Sequence, residues 1–134
     1  MDRKRLANGY ASRNNRKIPM RFLQDYWPMM ALALWFGYKW WNARRVMALL
    51  PKLQSEGAIL LDVRSAAEFA SGNAPGTRNI PLNELAQHLA SLPKSAPLVV
   101  GCASGTRSGM AKLMLKKNGY HRVYNIGSWR NFMS

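Results

Sequence analysis

Cysteine is almost absent from this chain: Cys102 stands alone among 134 residues. A single thiol excludes an internal disulfide framework and any paired CxxC metal or redox motif. Histidine is nearly as scarce. His88 and His121 lie far apart in sequence without ligand spacing, so both are read as surface side chains and no metal or other cofactor is expected. Acidic residues are few, with 6 Asp and Glu against 20 Lys and Arg and a net charge of +14. The excess is chain-wide: eleven basic residues face three acids in residues 1–57, and nine face three in 58–134. Such a balance suits an anionic membrane surface, an anionic small substrate or nucleic acid. The aromatics do not interleave with the basic residues as in RNA-binding signatures, so no nucleic acid is expected. A long charge-free apolar run is also missing, because Tyr26–Tyr38 falls short of the roughly 20 residues that span a bilayer.

The chain nevertheless divides by composition. Residues 1–19 are polar and basic without periodicity and are read as a disordered arm, with Met20 an alternative start. Residues 20–45 are read as a hydrophobic helix. Tyr and Trp stand at both ends of the apolar core, as in interface belts, and extension from Phe22 to Trp41 brings it to about spanning length. No small-x-small cleavage site follows, which argues against a removed signal. The expectation is a membrane anchor, with a helix packed on the following domain as the competing reading. By the positive-inside rule a start at Met20 places the C-terminal domain in the cytoplasm, whereas a start at Met1 opens the periplasmic alternative. Residues 46–57 are read as a linker helix interrupted by Pro51.

Residues 58–134 alternate strands and helices. Ala58–Leu61 is a continuous apolar run and a buried strand. Ser65-x-x-Glu68 is a capping box that opens a short helix. Asn79-Ile80 forms a short strand, and Leu82, Leu85, Ala86 and Leu89 make one helical stripe. Leu98–Val100 is a strand, a helix opening at Ser108 turns Met110, Ala111, Leu113 and Met114 inward, and Val123–Asn125 is the last strand. The alternation implies an α/β domain, with a parallel sheet covered by helices on both faces.

Between the third strand and its helix lies Cys102-Ala103-Ser104-Gly105-Thr106-Arg107. A lone Cys after two valines is ordinarily a buried small hydrophobe. The residues that follow point to chemistry instead. Gly105 permits a tight wrap of the backbone, and the helix start adds free N–H groups and a positive dipole end. Arg107 adds a fork of donors for an anion. A thiol in this cradle has a lowered pKa, which makes it a thiolate nucleophile beside an anion site. Ser104 and Thr106 supply hydroxyls that could bond an oxyanion.

That loop resembles the Cys-x-x-Gly-x-Arg active-site loop of the rhodanese sulfurtransferases. Leu61–Phe69 and Gly72–Pro81 resemble the other two signatures of the family, in the same order. The resemblance covers roughly Gly57 to Ser134 and implies a single rhodanese-like domain. It further implies that Cys102 takes a sulfur from thiosulfate or a persulfide donor and passes it to cyanide, a small thiol or a thiol protein, with the loop N–H groups of Ala103 to Ser108 stabilising the persulfide. It implies that Arg107 orients the loop or holds a donor oxygen, and that Arg64 faces the cleft on the substrate side. Asp62 is read as a brace for buried backbone. Three departures touch the cleft rim: Asn73 and Ala74 in the second signature, Ser128 after Gly127, and Phe132 in place of a common Trp. Two rival readings stand beside this one. Cysteine phosphatases use a loop one residue longer, Cys-x5-Arg, and the same fold could serve as a non-enzymatic, membrane-tethered binding or sulfur-relay module.

Overall fold

A computed structural model describes residues 20–134; the expected basic arm at 1–19 lies outside the described residues. The described residues fall into two units, 20–33 and 34–134. In the first, residues 20–33 are helical, and the rings of Phe22 and Tyr26 lie 4.5 Å apart on successive turns. They belong to α1, Met20–Ser55.

Helix α1 corrects two expectations. The hydrophobic helix at 20–45 and the linker helix at 46–57 are one element, and Pro51 does not end it. An interior proline costs about 3 kcal/mol. Val46, Leu50 and Leu53 share one face and are all buried, and each buried aliphatic side chain returns about 1.5–3 kcal/mol. Packing therefore outweighs the local break. The second correction concerns the membrane. Among the described residues no helix is long and apolar enough to cross a bilayer, so a spanning anchor at Phe22–Trp41 finds no support. The stretch has Leu23, Leu32 and Leu34 but neither Ile nor Val, draws the rest of its apolar character largely from Trp, Tyr, Phe and Met, and carries Asp25 and Lys39.

The second unit is built on a four-stranded parallel sheet in the order β2-β1-β3-β4. The strands are β1 (Ile59–Asp62), β2 (Arg78–Asn79), β3 (Leu98–Cys102) and β4 (Val123–Ser128). Between them lie α2 (Ala66–Ser71), α3 (Leu85–His88, flanked by 3-10 turns) and α4 (Thr106–Lys117). Side chains alternate across the sheet. Leu61, Leu98 and Val100 pack with Leu85, Ala111 and Leu115 on one face. Leu60, Val99 and Ile126 pack with Val46, Leu50, Leu53 and Phe132 on the other. The parallel sheet with helices on both faces is thus as expected, and the second half of α1 supplies one of the two covers.

Strand β3 runs two residues further than its apolar run indicates, so Cys102 is its last residue, paired in register with Ser128. Helix α4 begins at Thr106, two residues before Ser108, and turns part of the expected face inward: Ala111 is buried and Met114 packs against the core, as expected. Ser108, Ala111 and Leu115 are buried, whereas Met110 and Leu113 are 57% and 64% exposed. The buried stripe includes a serine because Ser108 has polar partners inside, as follows.

Candidate functional site

Cys102 sits at the carboxyl end of a central strand, where parallel sheets place their ligands. The turn to α4 takes three residues, Ala103 to Gly105. Gly105 is the N-cap of α4 with φ of +92°, a left-handed conformation that costs a side chain roughly 1–2 kcal/mol. A Cβ there would also lie 3.0 Å from Gly127 Cα. The wrap directs the Gly105 N–H onto Cys102 Sγ at 2.9 Å, and the Ser108 hydroxyl lies 3.4 Å from the same sulfur.

Cys102 as a residue is only 1% exposed. Burial pushes the thiol pKa up, but hydrogen bonds from the Ser108 hydroxyl and from the backbone N–H groups of Ser108, Ser104 and Gly105 outweigh it and hold the thiol below its ordinary value. The Ser108 hydroxyl has a single proton and two takers, since Asn125 Oδ1 lies 2.7 Å away. Asn125 is fixed in turn: its Nδ2 donates to Gly105 O at 3.1 Å, and its Oδ1 also accepts from the Gly127 N–H at 2.9 Å. The hydrogen stays on Ser108 and can point to either acceptor; the contact to Asn125 Oδ1 is the shorter, and ionisation of the thiol strengthens the competing bond to sulfur.

Other expected residues lie elsewhere. Arg107 does not point a free fork into the cradle. Its guanidinium is bidentate to Glu68, with Nη1 to Oε2 at 2.7 Å and Nη2 to Oε1 at 2.9 Å. It straps α4 to the start of α2. The Arg107 guanidinium, followed by the Ser65 backbone and hydroxyl, lowers the Glu68 carboxyl to about 2. Arg64, expected to face the cleft, is 4% exposed. It donates through Nε and Nη2 to Asp62 and through Nη2 to Gly72 O at 2.7 Å, and its plane stacks 4.4 Å from Trp129. Asp62 also accepts the Arg64 backbone N–H at 3.0 Å. The pair braces the β1–α2 connection from inside.

Ala103, Ser104 and Thr106 are exposed on the rim. Beside them is a residue that sequence reasoning assigned to the anchor. Lys39 Nζ donates to Ser104 O at 3.2 Å and to Thr106 Oγ1 at 3.5 Å, and it lies 4.5 Å from the Trp35 ring centroid. Lys39, Asn125 and Glu68 are the residues missed. Only Glu68 gave a signal, as a helix cap, and nothing local announced its second partner.

A buried thiol hydrogen-bonded by Gly105 N–H and Ser108 Oγ at a strand-to-helix turn has the arrangement a nucleophile needs, and comparison with known proteins shows the family to which this fold belongs. The family model "Rhodanese-like domain" matches residues 47–134. The Bacillus subtilis protein YqhL is 41% identical over 69 residues, 52% of this chain and 55% of YqhL, so the chain spans little more than half of that relative. An Allochromatium vinosum sulfurtransferase is 35% identical over 54% of this chain and 67% of its own. Among solved structures, the human single-domain sulfurtransferase TSTD1 superimposes with a TM-score of 0.53 at 33% identity, covering 63% of this chain and 88% of TSTD1. A rhodanese with anions from E. coli gives 0.52 at 32% identity over 55% of this chain and 89% of its own. With a family model matching well over half of its length, the chain belongs to the rhodanese-like domain family.

Proposed function

We propose that this protein is a sulfurtransferase that moves a sulfane sulfur from thiosulfate or a similar donor to a thiophilic acceptor through a persulfide on Cys102. The observation that carries the reading is the pair of donors on one buried sulfur, Gly105 N–H and Ser108 Oγ. The thiolate attacks the outer sulfur of thiosulfate. The S–S bond of the donor breaks and sulfite leaves with the electron pair. The persulfide places its negative charge one bond further out, where preorganised N–H groups stabilise it. The acceptor then attacks the outer sulfur, and the electron pair returns to Sγ. This is covalent catalysis in two steps. Sulfurtransferases among the relatives and a rhodanese solved with anions support the same reading. The short Cys-x4-Arg loop favours it over phosphate chemistry, and the intact thiol favours it over a binding module without activity.

The decisive experiment is intact mass spectrometry after incubation with thiosulfate. The protein should gain one sulfur, removable by cyanide or dithiothreitol, and Cys102→Ser should gain none. Equal thiosulfate turnover by Cys102→Ser, or faster hydrolysis of aryl phosphates than sulfur transfer by the unmodified protein, would overturn the reading. The exposed aromatics Trp35, Phe36, Trp40 and Trp41, flanked by Arg44 and Arg45, lead to a second part of the proposal: association with an anionic membrane surface, the domain being cytoplasmic, where reducing conditions recycle a catalytic thiol.

A further inference from the structure

A cavity of about 440 Å³ opens beside the Cys102 loop. Trp35, Trp40 and Lys39 of α1 form one wall, and Ser104, Thr106 and Asn131 stand opposite. No acidic residue lines it. The α1 wall lies outside residues 47–134, the part matched by the family model. Inorganic thiosulfate is far smaller than this space, whereas volumes of roughly 300–1,000 Å³ are those of organic ligand sites. An ammonium carries three N–H donors. Two of those on Lys39 are directed to Ser104 O and Thr106 Oγ1, which leaves one for a ligand. Half-buried against the Trp35 ring, the charge is screened less than that of an extended lysine.

We infer that Lys39, with the Trp35 and Trp40 rings, is a specificity site for the sulfur acceptor, and that the acceptor it fits is an organic thiol carrying an anionic group on an apolar body. The inference rests on the sulfurtransferase reading. The acceptor lies along the aromatic wall with its anion on Lys39 Nζ and its sulfur toward the loop. Its thiol gives a proton to solvent, and the thiolate attacks the outer sulfur of the Cys102 persulfide. A new S–S bond forms, the bond to Sγ breaks, and the electron pair returns to Cys102. The products are the acceptor persulfide and the free Cys102 thiolate.

The test starts from full-length protein already loaded with thiosulfate and freed of donor. Discharge is timed with 4-mercaptobenzoate and with its uncharged amide, and the read-out is the ratio of the two rates. Wild type should prefer the carboxylate. Lys39→Gln should lower the ratio about tenfold, the worth of one charge-assisted hydrogen bond, and Lys39→Arg should restore most of it. Trp40→Ala, at an exposed ring, should raise the concentration of either aryl thiol needed for half-maximal rate. A ratio unchanged in Lys39→Gln after normal loading would overturn this inference alone. Failure of wild type to load would overturn the sulfurtransferase reading and this one with it.

Discussion

At the scale of single residues the chemistry turns on one proton. Ser108 holds it between a sulfur at 3.4 Å and the Asn125 oxygen at 2.7 Å. Burial pushes the Cys102 thiol pKa up, and the donors more than offset it, holding the thiol below its ordinary value. The consequence has a definite sign. Loading by thiosulfate needs thiolate, so its rate should fall as pH drops through the thiol pKa. Ser108→Ala removes a donor to the charged form, which raises that pKa and moves the acid limb to higher pH. Below the limb, loading should be roughly tenfold slower, in keeping with a hydrogen bond to a charged group. Stopped-flow loading from pH 5 to 9 checks this, and coincident profiles for the two proteins would count against it. The Asn125 amide holds Ser108 in place, yet Asn125, unlike Ser108 at the end of the N–H cradle, has no periodicity or motif that marks it.

Among the elements, α2 and α4 are joined by a single exposed pair. Glu68 accepts from Ser65, which caps α2, and from Arg107 in the first turn of α4. Its folded pKa of about 2 lies below the ordinary glutamate value of about 4.3. A depressed carboxyl contributes stability that is present above the unfolded pKa and lost as pH falls through the folded one. The contribution should therefore fade between about pH 4.5 and about pH 2. Glu68→Gln should flatten denaturant midpoints over that window and slow thiosulfate loading by loosening the loop. Parallel midpoint curves for the two proteins would refute the linkage.

What the sequence shows at this scale is what is local. The strands, the α2 cap, the Cys102 loop and the chain order of the signatures all rest on neighbours within a few residues. The differences come mostly from partners far away, and in one case from which side of the sheet a near partner faces. Arg107 is pulled from the cradle by a carboxylate 39 positions earlier, and Lys39 reaches a carbonyl 65 positions later. Arg64 faces inward because Asp62, two residues away but on the buried side, captures its guanidinium. Pro51 reads as a break until Val46, Leu50 and Leu53 find the sheet.

For the molecule as a whole, a net charge of +14 and an aromatic stretch without spanning hydropathy are what the proposed association with an anionic membrane surface rests on. Cell membranes prepared at low ionic strength should carry it, and alkaline carbonate or high salt should release it, because such attraction is screened within about a nanometre at physiological salt. Recovery in the soluble fraction at low salt would reject the association, and retention through carbonate would point to insertion instead. One feature of the sheet reaches beyond function. Strand β2 is two residues long, and β4, the other edge, has its Asn125 carbonyl occupied by Asn42 of α1 at 3.1 Å. Exposed edges recruit strands from other chains, and here neither is left open for long. Trimming the chain to a minimal catalytic piece by cutting away α1 would uncover that edge together with Leu60, Val99 and Ile126. The product would be a nucleus for aggregation rather than a smaller stable domain.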